Sequence, residues 1–423
     1  MSPLDRRQFL GRSAAVIGAG AIGLGVGAEV ASGSSGSEPS AEEAARRVLS
    51  DELAARNNYD GYHQAGILTP RQQNAAFVAL DAIAPRQNEL IEGLKELSYR
   101  AAALTQGGDV AEIEIDDPPP DSGLLGSYNA PDGLTVTIAF GSTLFDHRYG
   151  LAAARPPQLV PMPAFEKDGL EPDRCHGDVL LSICADHRDT VVHTMRELLR
   201  TTAGVLTPRW RIDGFQSTKR GPTPRSSTRN LFGFRDGTAN PDPTDAKLMD
   251  ELVWVKPGAG EPAWTHGGTY QVVRAIRMHV EFWDRVGMFE QTNMIGRDRV
   301  SGAPLGGTKE FENPRYDLDP QGKRIPLSAH IRLANPRTPD TQNQRILRRP
   351  YNYDRGLDEA GNLDQGLLFV AFNQDIQRQF VAIQERLNDE PMVDYITPEG
   401  GGFFFAPAAA RDSGDWVGSG LFA

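Results

Sequence analysis

The chain has 423 residues, 39% of them hydrophobic and 24% charged, a balance that excludes a disordered tract, a fibrous repeat and a polytopic membrane protein. With 44 Lys and Arg against 56 Asp and Glu, the net charge is −12, which disfavours a nucleic-acid partner. The two cysteines, Cys175 and Cys184, are too few for a disulfide framework and lack the spacing of a zinc site.

Residues 5–10 read Asp-Arg-Arg-Gln-Phe-Leu, and a weakly apolar, glycine-rich run follows to Val26, Gly27 and Ala28. A charged start, a short apolar core and a small-residue end make a cleavable signal over 1–28. Arg6 and Arg7 ahead of Phe9 and Leu10 give it the twin-arginine (Tat) form. The expectation is export by the Tat translocon to the periplasm or the extracellular side of the envelope. Cleavage would remove Asp5, Arg6, Arg7 and Arg12 and leave a net charge near −14. Residues 18–23 match G-x-G-x-x-G, but an arginine pair stands before them and a Ser/Gly linker after, so a dinucleotide fold is rejected. The linker and an N-terminal helical segment occupy 29–58, with a helix predicted over 41–57.

Further helices are predicted over 70–83, 86–105 and 243–252, and strands over 135–140 and 270–276. Residues 177–186 match residues 366–375 at an offset of 189. Each run is a buried-strand pattern that ends at an aspartate, Asp186 or Asp375, placed to cap an amphipathic helix. Val191, Met195 and Leu198 line the first helix; Phe380, Ile383 and Leu387 line the second. This duplication predicts an α+β chain in two related halves, 59–217 and 229–423, joined by the Pro/Arg/Ser/Thr-rich stretch 218–228.

None of the eight histidines forms H-x-x-x-H or H-E-x-x-H, which argues against a mononuclear zinc hydrolase. No G-x-S-x-G elbow occurs, and the P-loop-like run 302–309 reads better as a turn-rich loop. Around His330 the apolar residues 325, 327, 329, 331 and 333 alternate, which predicts a half-buried strand with His330, Ser328 and Arg332 on its other face. A hydrogen-bonded cleft histidine and a metal ligand both fit that pattern. Asp236 sits between Gly233 and Gly237, which permit positive φ. Phe232 and Phe234 would desolvate its carboxyl and prepare it for proton transfer. An ordinary Asp-Gly turn beside a core strand is the alternative.

The run 233–237 (Gly-Phe-Arg-Asp-Gly), continued by Thr238, Ala239, Asn240 and Pro241, resembles the G-x-x-D-G motif of the dye-decolourising (DyP-type) haem peroxidases. Blocks 330–337, 346–349 and 400–405 are similar to further blocks of that family, in the same order. The resemblance runs from about His63 to the C-terminus, and the Tat-like leader places it nearest the family's exported branch. It implies a tandem pair of ferredoxin-like domains of the dimeric α+β barrel type, with antiparallel sheets, peripheral helices and one haem b in the C-terminal half. By the same resemblance His330 is the axial ligand of the haem iron and Asp394 the carboxylate behind it. Asp236 is the distal acid–base residue, and Arg348 stabilises charge as the peroxide O–O bond breaks, with Arg349 as the adjacent alternative. Gly237, Thr238, Ala239, Asn335, Pro336 and Arg337 surround the haem, Arg337 facing a propionate. One departure is Pro350, where some subfamilies carry an asparagine two residues after the arginine.

The implied activity is a peroxidase that uses hydrogen peroxide to oxidise an unknown electron donor, in a chain that forms a homo-oligomer. Two alternatives accompany it. One is deferrochelatase activity, with haem as substrate and iron released to an uptake system while the porphyrin stays intact. The other is a haem carrier without catalysis, which has no use for an Asp236–Arg348 pair.

Overall fold

The computed structural model describes residue 51 and residues 53–423, apart from 222, 224, 225 and 259. The expected signal lies outside the described residues, as do most of the linker and of the helix over 41–57. Among the described residues nine strands form one sheet, all of whose strand pairs are antiparallel. Eight build the frame. The first half supplies β1 (Asn74–Ala82), β2 (Thr135–Gly141), β3 (Val179–Ala185) and β4 (Leu206–Phe215). The second supplies β5 (Thr269–Met278), β6 (Tyr351–Leu357), β7 (Leu363–Asn373) and β8 (Ile396–Ala406).

Within the halves the strands lie in the orders β2-β3-β1-β4 and β6-β7-β5-β8. The same ferredoxin-like order thus appears twice. The match at offset 189 falls on β3 and β7, the third strand of each half. Two seams close the halves into a barrel: β8 meets β2 through Phe404–Gly141 and Phe405–Phe140, and β4 meets β6 through Phe215–Asn352. The ninth strand, Leu347–Arg348, pairs with β7 at Ala371 and Phe372.

Alternation along the strands sorts the core into layers. Phe77, Ala79, Leu180, Cys184, Ile212, Tyr351, Tyr353, Leu368, Val370 and Phe404 form one cluster. Their neighbours Val78, Leu80, Leu181, Ile183, Phe403 and Phe405 join a second, which packs on the helices. Helices α1 (Gln87–Gln106) and α2 (Arg188–Thr201) enter that second layer through Leu90, Leu94, Leu97, Val191 and Leu198. Both cysteines are buried free thiols.

The remaining helices are short: α3 (Ala246–Leu252), α4 (Val280–Trp283), α5 (Met288–Ile295), α6 (His330–Ala334) and α7 (Ala382–Leu387). A π-turn, Gln377–Val381, leads into α7. Asp375 caps it as expected: its Oδ1 accepts the Arg378 amide at 2.8 Å, and Gln379 Oε1 accepts the Asp375 amide at 2.9 Å. At α2 the N-cap position is His187 instead, and Asp186 Oδ1 accepts the Gln73 amide.

Two expected elements are corrected. Residues 70–83 do not form a helix; they contain β1. Its Ala- and Leu-containing run is buried on both faces, where apolar periodicity cannot separate strand from helix. His330 is not on a strand. It opens the one-turn helix α6 after an irregular approach, so the alternation at 325–333 runs from that approach into the helix and marks no strand. Residues 302–309 are the expected turn-rich loop. No helix among the described residues is long and apolar enough to cross a membrane.

Candidate active site

His330 faces a cavity of about 270 Å³ lined chiefly by the second half. Several contacts aim α6 at it. Arg332 Nη1 donates to the Ile325 carbonyl at 3.0 Å and its Nη2 to that of Asp319 at 2.8 Å, while Arg386 Nε of α7 donates to the Leu333 carbonyl at 2.9 Å. Gly296, with φ +89°, ends α5 so close to Ile331 that a Cβ there would stand 2.7 Å from it.

The His330 ring nitrogen Nδ1 lies 2.7 Å from Glu390 Oε2, in a pair whose carboxylate side chain is only 3% exposed. Burial works against an imidazolium here. The charge and hydrogen bond of Glu390 outweigh it and hold the imidazole above its ordinary value. That contact fixes the tautomer and leaves Nε2 for the cavity. The carboxylate expected behind His330 was Asp394, and the structure corrects this: Asp394 is exposed, on the turn Pro391–Tyr395, four residues past the true partner.

Asp236 stands on the loop after the 218–228 junction. Its amide donates to the Thr228 carbonyl at 2.9 Å, and Asn230 closes the turn through its carbonyl and Oδ1. Gly233 and Gly237 have φ of +82° and +98°, as the sequence requires. Trp283, fully buried, stacks on Phe232 at 4.3 Å and braces the wall behind the carboxylate.

Arg348 Nη2 donates to Asp236 Oδ1 at 2.7 Å. Asn240 sets the pair. Its Oδ1 accepts the Arg348 amide at 2.8 Å and its Nδ2 donates to the Arg348 carbonyl at 3.1 Å, tying the strand to the Asp236 loop. Arg349 points the other way, to the Thr69 carbonyl and to Gln72 Oε1 at 3.0 Å. Of the two adjacent arginines, Arg348 alone lines the cavity.

Gly237, Thr238, Ala239 and Asn335 also line the cavity; Pro336 and Arg337 do not. Arg337, at φ +60°, lies near Tyr316. The first half contributes Phe165, Lys167 and Asp168, none of which the motifs indicated. Asp168 forms a buried ion pair with Arg274 of β5 beneath Phe165 and Phe380.

The lining is suited to a flat apolar dicarboxylate. Ile276, Met278, Leu367, Phe369, Ile383 and Leu387 form apolar walls, and six cationic side chains (Lys167, Arg235, Arg274, Arg297, Arg345, Arg348) outnumber three acids (Asp168, Asp236, Glu390). The buried Nε of Arg348 has no hydrogen-bond partner within the protein, while that of Arg235 has the Glu310 carboxylate 3.4 Å away. A haem fits that donor set: an imidazole Nε2 for iron, cations for propionates and apolar walls for the macrocycle.

Family models decide the identity. "Dyp-type peroxidase, N-terminal" matches residues 64–216 and "Dyp-type peroxidase, C-terminal" matches residues 227–411. The chain belongs to the DyP-type peroxidase family. Among similar DyP-family proteins, deferrochelatase of Escherichia coli K12 is 47% identical over 372 residues, 87% of this chain and 88% of that one. Deferrochelatase of Yersinia pseudotuberculosis is 43% identical over 422 residues, 100% of this chain and 95% of that one. Among solved structures, the DyP-type peroxidase of Cellulomonas bogoriensis superposes with a TM-score of 0.77 at 35% identity, covering 88% of this chain and 99% of that one. Ferric DtpA of Streptomyces lividans gives 0.78 at 32%, covering 89% and 99%. The tandem ferredoxin-like α+β fold is that of these DyP peroxidases, and the chain is an enzyme of this haem-handling family.

Proposed function

We propose that the cavity binds one haem b per chain and that the protein is a peroxidase taking hydrogen peroxide and a one-electron donor. The observation that carries this reading is that two pairs, His330–Glu390 and Asp236–Arg348, line one cavity. When bound, the haem supplies the electrons that cleave peroxide and recovers them from the donor. His330 Nε2 would hold the iron, with Glu390 keeping the proton on Nδ1 and strengthening the ligand. The Asp236 carboxylate would take a proton from one peroxide oxygen and deliver it to the other. The Arg348 guanidinium faces the negative charge that grows on the departing oxygen. Phe232, Phe234 and Trp283 keep bulk water from the carboxylate.

Stopped-flow absorbance of the haem-loaded protein mixed with peroxide tests these roles. Asp236→Asn is expected to slow the peroxide reaction by about 10²–10⁴-fold, and Arg348→Leu by about 10²–10³-fold. Arg349→Leu should react at the wild-type rate. A fast Asp236→Asn variant removes the acid–base role, and a slow Arg349→Leu beside a normal Arg348→Leu moves the distal arginine by one position.

Deferrochelatase activity is kept as a second reading because the relatives at 43–47% identity carry that name. Porphyrin fluorescence and free iron, released from haem without breakage of the ring, would establish it. Export by the Tat route, proposed from Arg6 and Arg7, predicts that Arg6→Lys with Arg7→Lys keeps the protein in the cytoplasm.

A further inference from the structure

Asp236 has a second cation behind it, and that cation comes from the other half of the chain. Arg71 lies just ahead of β1 and is half-buried. Its Nη1 donates to the Pro350 carbonyl at 3.0 Å. Its Nη2 lies beside Gly237, 3.5 Å from where a Cβ on that glycine would stand. Gly237 follows Asp236, and Pro350 follows the two arginines at 348 and 349. One guanidinium therefore spans the two segments that carry the Asp236–Arg348 pair. Arg71 is not among the cavity-lining residues, so it acts on the site through others.

Electrostatics support the placement. Burial works against the Arg71 charge, and the Asp236 carboxylate is foremost among the groups that favour it; Arg348 and Arg349 oppose it. The groups facing Asp236 are Arg348 at 2.7 Å, Arg71 beside Gly237, and His330, which senses both Asp236 and Arg348. Arg349 is turned to Thr69 and Gln72, and Arg235 to Ser227 and Glu310.

Arg348 has two demands on it. It neutralises Asp236, and it faces any oxygen that enters the cavity. A buried carboxylate that loses its nearest cation tends to hold a proton, and a protonated Asp236 could not accept one from peroxide. We propose that Arg71 is a positioning residue that gives Asp236 a standing counter-charge, which leaves Arg348 free to serve the cavity while the carboxylate stays ready to accept a proton. The inference rests on the acid–base role proposed above for Asp236.

The test uses the haem-loaded full chain and two pH profiles. One is the rate of the peroxide-induced absorbance change. The other is the affinity of the ferric protein for fluoride, which binds together with a proton and is read without turnover. In Arg71→Leu the acid fall of the peroxide rate should move up by about 0.5–1 pH unit, the size expected for one partly screened charge. The pH at which fluoride affinity drops should rise by the same amount. Arg71→Lys should restore both profiles. Arg71→Gln keeps a donor for Pro350 without the charge; it carries the Leu expectation should Arg71→Leu fail to fold. Unmoved profiles in the Leu and Gln variants, or a Lys variant that behaves like Leu, would reduce Arg71 to packing and overturn the inference. Asp236→Asn separates the two levels. If it abolishes the acid limb and the Arg71 variants do not shift it, only this inference falls. If it leaves the limb in place, the acid–base reading falls, and this one with it.

Discussion

Glu390 shows how a single carboxylate can set the character of a histidine 60 positions away. A glutamine there would still accept a hydrogen bond from His330 Nδ1 but would lack the charge that raises the basicity of the ring. Glu390→Gln is expected to weaken haem binding by roughly 10–100-fold and to raise the reduction potential of the bound iron. Asp394→Asn should change neither, and spectroelectrochemistry with haem titration separates the two. His187 offers a pH prediction away from the site. Its hydrogen bond to the fully buried Asp132, 2.7 Å long, raises the imidazole above its ordinary value. A raised histidine adds stability that is fully present below about pH 6.5 and is lost as pH rises through the folded value. The His187 side chain is 41% exposed, so the effect should stay under about 1 kcal/mol. Denaturation midpoints of wild type and His187→Gln should converge above that range and diverge below it.

At the scale of elements, the loop around Asp168 and strand β5 depend on each other. The Arg274 and Asp168 side chains are 1% and 2% exposed, and two aromatic rings cover the guanidinium. Asp168→Asn would leave a buried cation unpaired and should cost about 3–5 kcal/mol in chemical denaturation. Replacing both partners with apolar residues, Asp168→Leu with Arg274→Met, should recover most of that loss. Strands with clear alternation and helices with a long amphipathic stripe were legible in the sequence, as at 135–140, 270–276 and 86–105. So was the repeat, because 177–186 and 366–375 each carry an apolar run that ends at an aspartate. Segment 70–83 misled because its run Ala75–Leu80 is apolar at every position and lacks the Thr/apolar alternation that marks 135–138. His330 misled because a helix of five residues is too short to show 3.6-residue spacing. At the site, the Asp236 turn was visible as a motif with glycines at fixed offsets, and Arg348 through the family resemblance of block 346–349. Glu390, Asn240, Arg71 and Asp168 were not recognised, since their roles arise from contacts between elements far apart in the chain.

Taken whole, the protein is two copies of one topology that share a barrel and place their cavity mainly in the second copy. The first copy reaches that cavity through Phe165, Lys167 and Asp168, so ligand binding should couple to the stability of both. Haem present at about 100 times its Kd would add about 2.7 kcal/mol to unfolding. Calorimetry of loaded and haem-stripped protein should therefore show a rise of several degrees in Tm, in one transition rather than two. His330→Ala should erase most of the difference.

Closure of the sheet at β2–β8 and β4–β6 has a consequence for life in a crowded solution. An open sheet ends in strands whose free amides and carbonyls can recruit a strand from a neighbouring molecule, the first step toward aggregation. Here each of the eight barrel strands has a neighbour on both sides. Among the described residues a second molecule therefore meets no barrel strand that lacks a neighbour. The short seams are the exposed point of that arrangement. They rest on two residue pairs and one, so a chain that opened there would present fresh edges at once, and its tendency to precipitate would report seam opening before global unfolding.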